Sequence, residues 1–328
     1  MAKFSIKEGI SFTKEMFSSF GEDNVMSKSA ALSYYTVFSL APILVIIITI
    51  AGFFIGQESM QNEVANQLTG LMGKEAANQL QTMMENTNKS GAGTVATIIS
   101  ILTLVVGATG VFGELKTSLN TIWEVKAKPK NGILALLKDR LLSFAMVLSL
   151  GFILLITLAV NAGVALVVGY FAKLLPGVGE VALQAANLVI SVAVTAVLFA
   201  LIFKGLPDVK IKFSDVWKGA LFTAVLFAIG KFLIGLYIGK SDIGGTYGAA
   251  GSLVIVFLWV YYSAVIFFLG AEFTYVYAQR YGSKIVPTEN AVHVKEMEEN
   301  AAGSLADRTQ NPHRPYSYSP QYSSRQKS

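Results

Sequence analysis

Six long apolar runs constrain this chain more than any other feature of its sequence. A helix that spans a bilayer needs roughly 20 mainly apolar residues, and hydrocarbon favours helices because every backbone polar group must be bonded within the segment. The runs cover approximately Ala30–Ile55, Ala92–Phe112, Leu141–Tyr170, Val181–Phe203, Val216–Ile238 and Ser252–Ala278. The sequence therefore predicts an all-α integral membrane protein with six transmembrane helices.

Charged residues are scarce and lie mostly between the apolar runs. Only 14% of the 328 residues are charged and the mean hydropathy is +0.54, whereas soluble domains carry about 25% charged residues. Of the 26 Lys and Arg residues, 20 lie before the first run or after the second, fourth or sixth, and Lys218 lies at the start of the fifth run, next to the fourth connection. Only four lie in the other connections. Positive residues concentrate in cytoplasmic loops, so we expect the N- and C-termini to be cytoplasmic.

Three regions follow from this pattern. Residues 1–28 form an amphipathic N-terminal segment, in which Ile6, Ile10, Phe17 and Phe20 recur at helical spacing, and we expect a helix on the inner membrane surface. Residues 29–281 form the six-helix membrane domain. Its first connection repeats apolar residues among polar ones, which predicts a helical loop on the outer face. Residues 282–328 are polar and rich in Pro, Ser, Tyr and Gln, which predicts a disordered cytoplasmic tail.

Lys231 is the strongest single candidate for a functional residue, because it lies inside the fifth apolar run. A charge at the bilayer centre costs at least about 2.5–3.5 kcal/mol. Ala224, Ala228 and Gly235 share its helix face, and such small residues indicate a helix–helix interface. The functional interpretation is an ammonium group in a cavity that receives an anion. The alternatives are a lysine that extends towards the interface and a structural ion pair.

Polar residues inside other runs are weaker candidates for the same cavity. Tyr34 and Tyr35 give the first run a polar face, and Pro42 removes one helix hydrogen bond and predicts a kink. Asn161 lies in the third run, and Tyr247 lies in the glycine-rich connection between the fifth and sixth. The alternatives are an aromatic belt, packing and helix–helix hydrogen bonds.

Four charged residues near predicted helix ends are candidates for an inner gate. Glu114 and Lys116 follow the second run, and either could pair with Asp215 or Glu272. The alternative is that each is an ordinary charge at a helix end, where a carboxylate costs little.

The sequence lacks the motifs of soluble enzymes. It has no Cys, and its two histidines, His293 and His313, both lie after the last run. A metal-dependent nuclease needs converging His and carboxylate ligands, so we expect no metal, no cofactor and no enzymatic activity. We also expect no nucleic-acid partner, since the net charge of +5 reflects the membrane-flanking lysines.

Several stretches together resemble the YihY/BrkB family of bacterial inner-membrane proteins, which includes virulence factors and members once mislabelled ribonuclease BN. They are AALSYYTVFSLAPILVIIITIAG, VFGELKTSLNTIWEV, LPDVKIKFSDVWKGALFTAVLFAIGKFLIGLYI and TYGAAGSLVIVFLWVYYSAVIFFLGAEFTYVYA, and the resemblance covers about residues 10–282. It implies six membrane helices and a place in the inner membrane. It implies no agreed activity.

Three functional interpretations remain open. The leading one is a transporter or flippase-like protein for an anionic lipid or solute, in contact with membrane lipids. Lys231 would attract the anion, Tyr34, Tyr35 and Asn161 would line the route, and Glu114 and Glu272 would take part in gating. The alternatives are a non-transporting envelope scaffold or regulator and, less favoured, a membrane-embedded enzyme.

Overall fold

The computed structural model describes residues 6–72, 74, 77–79, 81–82, 110–128, 179–241, 247, 250–289 and 291–294. Within these residues the chain is mainly helical. The helices are α1 (Ile6–Glu22), α2 (Val25–Ile55), α3 (Gln57–Met72), α4 (residues 110–122), α5 (Gly179–Gly205), α6 (Phe213–Lys240) and α7 (Gly251–Tyr281).

Three of the described helices are long and apolar enough to cross a membrane. The qualifying segments are Leu188–Gly205 in α5, Phe213–Lys240 in α6 and Leu253–Tyr281 in α7. They coincide with the fourth, fifth and sixth predicted runs. The first run lies within α2, which continues as one helix past Pro42. The second run, apart from its last residues, and the whole third run lie outside the described residues, so the count of six stays a prediction.

Four short strands form a layer at one end of the helices. The strands are β1 (Val125–Ala127), β2 (Val209–Lys210), β3 (Val286–Pro287) and β4 (Ala291–His293), and they pair antiparallel as β1 with β4 and β2 with β3. We call this end of the molecule the strand end. The prediction of disorder from residue 282 onward is wrong for 282–289 and 291–294, because these residues pair with connections far upstream in the chain.

Helices α6 and α7 are held close together by a reciprocal pair of glycines and threonines. Gly219 of α6 faces Thr274 of α7, and Gly270 of α7 faces Thr223 of α6, so closely that a Cβ on either glycine would collide with the threonine. Each threonine hydroxyl donates to a carbonyl on its own helix, from Thr223 to Gly219 and from Thr274 to Gly270, at 2.7 Å. Small residues let helix backbones approach in this way inside membranes.

One face of α6 carries large apolar side chains with no protein cover among the described residues. Leu221, Val225, Ile229, Phe232 and Leu236 recur every three or four residues, and each is at least 43% exposed. Such a stripe would be unfavourable in water and is suited to lipid.

The two extra helices pack at opposite ends of α7. Helix α1 contacts the C-terminal part of α7, where the Phe12 and Phe273 ring centroids lie 5.2 Å apart. Ile6, Ile10 and Phe17 of α1 are exposed, on a helix with an amphipathic pattern. Helix α3 confirms the predicted helix in the first connection, and its Met60, Val64 and Leu68 pack with residues from the other ends of α6 and α7.

Candidate functional site

The carboxyl group of Glu272 is the most unusual polar group among the described residues. Glu272 lies on α7 with no exposed surface, and neither carboxyl oxygen receives a hydrogen bond from any described residue. Trp123, also fully buried, donates from Nε1 to the carbonyl of the preceding residue, Ala271, at 3.3 Å. The Glu272 carboxyl group itself is therefore closed off from solvent.

Asp23 lies at hydrogen-bonding range of Glu272. It comes from the turn between α1 and α2, where Asn24 has a φ of 52° and breaks the helix. Burial raises the pKa of the Asp23 carboxyl above its ordinary value of 3.8. Two carboxyl groups in this arrangement cannot both ionise without strong repulsion. We call Asp23 and Glu272 the carboxyl pair.

Other ionisable groups surround the carboxyl pair. The ammonium of Lys28 on α2 donates to the backbone carbonyl of Asp23, and its charge favours ionisation of both acids. Glu22 and Glu124 add negative charge nearby, and the Tyr275 hydroxyl lies at hydrogen-bonding range of Glu124. Among the described residues there is no group of three His, Cys, Asp or Glu side chains that could hold a metal ion.

Asp215, a predicted gating residue, is buried, and both of its carboxyl oxygens accept hydrogen bonds. It is 4% exposed, and its Oδ2 accepts hydrogen bonds from the backbone N–H and the hydroxyl of Ser283, both at 2.9 Å. The Ser214 hydroxyl donates to Oδ1 at 3.3 Å. A Cβ on Gly282 would lie 2.6 Å from Oδ2, so the turn after α7 wraps directly around this acid. Asp215 therefore anchors the segment that leads into β3.

Lys116 has a different partner from those expected. Its Nζ lies 3.0 Å from Asp208 Oδ1, so it pairs with Asp208 and not with Asp215 or Glu272. The Asn120 amide donates to Asp208 Oδ2 at 3.0 Å, and the Asp208 N–H donates to Asn120 Oδ1 at 2.9 Å. Glu114 accepts a hydrogen bond from the Ser118 hydroxyl at 2.9 Å. The four predicted gating residues thus divide among separate sites.

Lys231 is half-buried in the interior of α6. It lies seven residues after Ala224 and seven before Ile238, both buried, and so on the same side of the helix as these residues and away from the apolar stripe. The next residue back, Gly230, contacts Ile266 and Tyr262 of α7. Beside Gly235, in contrast, a Cβ would find open space among the described residues, so the predicted small-residue stripe does not pack along its whole length.

The remaining predicted cavity residues are dispersed. Tyr34 and Tyr35 of α2 are 55% and 38% exposed, and the Tyr35 ring lies against Gly110 at the start of the described part of α4. Tyr247 is 56% exposed. Asn161 lies outside the described residues. Helices α2 and α6 both pack against α7, which is the element that connects the tyrosines with Lys231.

Sequence reasoning missed Asp23 and Asp208. Asp208 lies in LPDVK, and its partners Asn120 and Lys116 are 88 and 92 residues away, so no local pattern could reveal it. Asp23 carried one usable signal, since Asp23–Asn24 interrupts the helical pattern before the first apolar run. Nothing in the sequence connects that turn with Glu272.

The chain has recognisable relatives among known proteins. A family model described as "Virulence factor BrkB" matches residues 16–294. A UPF0761 membrane protein of Xanthomonas axonopodis pv. citri (strain 306) and one of Xanthomonas euvesicatoria pv. vesicatoria (strain 85-10) are each 27% identical over 272 residues. These alignments cover 80% of this chain and 60% of each relative, so the chain spans about three fifths of their length. No solved structure matches.

Proposed function

Because the chain belongs to the virulence factor BrkB family of membrane proteins, we propose that it transports or flips an anionic lipid or solute across the bacterial inner membrane. The descriptions of the family and of both relatives name no enzymatic activity. The proposed place in the inner membrane, with both termini in the cytoplasm, rests on the asymmetry of Lys and Arg along the chain.

Lys231 is the observation that carries the proposal. An ammonium group inside a membrane helix is costly and is retained mainly where it faces protein or a water-filled path. Lys231 lies away from the exposed apolar stripe of α6 and shares its side of the helix with buried residues. From this position it would attract an anionic group between the helices and replace part of that group's hydration with a charge-assisted contact.

Tyr34 and Tyr35 would supply the amphipathic part of the route. Their rings are adjacent on α2, with centroids 5.7 Å apart, and both are partly exposed. A tyrosine combines an apolar ring with a hydroxyl group, which suits a path for a molecule with a charged head and an apolar remainder. Asn161, outside the described residues, stays a predicted contributor to the same route.

Flux measurements in proteoliposomes test the proposal. The probes are tail-labelled phosphatidylglycerol, which is anionic, and tail-labelled phosphatidylcholine, which has no net charge, with small organic anions as a second set. Loss of one hydrogen bond to a charged group is worth about 1.5–3 kcal/mol, so Lys231→Met should lower anion flux by about 10- to 100-fold. Lys231→Arg should retain most of it.

Lys240→Met is the matched control, because Lys240 is an exposed lysine at the end of the same helix. It should leave flux unchanged. If Lys231→Met transports anions as fast as the wild type, the anion-binding role is wrong. If the wild type moves none of the anionic probes, the scaffold interpretation replaces the transporter.

A further inference from the structure

The Glu272 carboxyl group requires a ligand that the described residues do not provide. An ionised carboxylate in a dry site costs several kcal/mol unless donors or a counter-charge satisfy it. Glu272 is fully buried, and no described donor reaches either oxygen. The group that faces it, Asp23, is also an acid and is an acceptor when ionised. Two acceptors face each other, and a proton between them would satisfy both.

We propose that Asp23 and Glu272 together bind one proton, and that this carboxyl pair is the coupling site of the transporter. This inference rests on the proposed function for its role in transport, but the binding of the proton rests on the burial of Glu272 and its contact with Asp23. A shared proton turns two facing acceptors into a donor and an acceptor, and it leaves a single negative charge on the pair.

The charges around the pair favour this single-proton state. Lys28 on α2 provides one positive charge, which balances the one negative charge that remains. Glu22 on α1 and Glu124 after α4 oppose further ionisation. Tyr275 on α7 is directed towards Glu124, and the buried acid of α6, Asp215, is already bound by Ser214 and Ser283. Because Asp215 already accepts hydrogen bonds and Tyr275 is engaged with Glu124, the carboxyl pair is the group in this region that can bind a proton.

A proton suits this site better than a metal ion. Hard cations take six or more oxygen ligands, or keep several waters. The described residues contain no group of three carboxylate, His or Cys side chains that could hold such an ion. The two carboxyl groups of the pair provide too few oxygens, and Lys28 already supplies a counter-charge.

Loss of the proton would weaken the contact between the α1–α2 turn and α7. Asp23 lies in a two-residue turn between helices, whereas Glu272 lies within α7, where Trp123 donates a hydrogen bond to the adjacent Ala271. When both acids are ionised they repel each other, so the α1–α2 turn would separate from α7. Since α2 and α6 both pack on α7, proton binding at the pair can bias the helices that carry Tyr34, Tyr35 and Lys231.

Infrared difference spectroscopy of the full-length protein in lipid nanodiscs tests proton binding directly. A protonated carboxylic acid has a C=O band distinct from that of a carboxylate. At neutral pH we expect this band in the wild type, and we expect its loss in Glu272→Gln and in Asp23→Asn. Glu22→Gln, which changes an exposed acid next to Asp23, should keep the band.

The spectra and a sodium titration distinguish a proton site from an ionised pair and from a sodium site. A wild type without the band, or a Glu272→Gln variant that keeps it, overturns the proposal. Thermal stabilisation of the wild type by Na⁺ that Glu272→Gln abolishes would indicate a sodium site, and this also overturns it. If Glu272→Gln fails to accumulate, Asp23→Asn provides the same test from the turn.

Transport experiments then test coupling separately from the proposed function. In proteoliposomes, Glu272→Gln should still move anions down their gradient but should lose the response to an imposed pH gradient. An unchanged response to the pH gradient would overturn coupling while the Lys231 result stands. A band that behaves as expected in a protein without any flux would support the proton site and contradict the transporter.

Discussion

Two buried acids near the strand end of α6 and α7 have opposite surroundings. Asp215 of α6 is 4% exposed and accepts three hydrogen bonds, two of them from Ser283 in the turn after α7. Glu272 of α7 is fully buried, accepts none from the described residues and faces a second acid. Both lie close to the Gly–Thr contacts between the two helices.

The difference assigns a structural role to Asp215, and it is the reason for the proton-binding role that we propose for Glu272. A buried carboxylate with several donors stabilises the segment that supplies them, and its loss leaves those donors unpaired. A buried carboxylate without donors destabilises the fold, and a bound proton removes this cost. The sequence placed both residues in one gate, whereas the structure gives them unrelated surroundings.

The sharpest test of this contrast compares the stability of variants at the two acids. Asp215→Ala removes acceptors from a backbone N–H and two hydroxyls, and should lower the free energy of unfolding by about 3 kcal/mol. Glu272→Gln keeps the size of the side chain and removes its charge, and should change the free energy of unfolding by less than about 1 kcal/mol. Denaturant unfolding in mixed micelles measures both. Equal losses would contradict the distinction.

A second test disturbs the close contact between the two helices that carry the acids. A methyl group on Gly270 would collide with Thr223, so Gly270→Ala should cost about 1–3 kcal/mol and separate α6 from α7. Gly235→Ala is the matched control, because a Cβ there meets open space among the described residues and should be tolerated. A Gly270→Ala variant as stable as Gly235→Ala would show that the close approach is not required.

The smallest expected effect is a pH dependence from Asp23. Burial raises its pKa, so the folded protein binds this proton more tightly than the unfolded chain does. The stabilisation is complete below about pH 4, the unfolded value, and is lost as pH rises through the folded pKa. Melting temperatures of the wild type should therefore fall over this range more steeply than those of Asp23→Asn. Parallel curves would show that Asp23 titrates normally.

Long, continuous signals made part of the fold predictable. The fourth, fifth and sixth apolar runs coincide with membrane-length helices, because an apolar stretch of that length has few other stable structures. Helices α1 and α3 followed from the helical spacing of their apolar residues. Apolar length and helical spacing are local properties, so they can be recognised without knowledge of contacts between distant residues.

Contacts between distant residues could not be predicted. Strands of two or three residues carry no usable periodicity, and β4 pairs with β1 more than 160 residues upstream. The polar composition after residue 282 therefore predicted disorder, whereas β3 and β4 are ordered by pairing with β2 and β1. The partner of Glu272 was missed for the same reason, since Asp23 lies near the other end of the chain and looks like an ordinary turn residue.

The pairing of the four strands constrains when this end of the molecule can fold during synthesis. Ribosomes make the chain from its N-terminus, and β3 and β4 follow the last membrane-length helix. β1 and β2 therefore have unpaired backbone edges until α7 and the two strands after it have been made. Closure of this layer therefore cannot precede the synthesis of α7, and a molecule with both strand pairs formed has completed that helix.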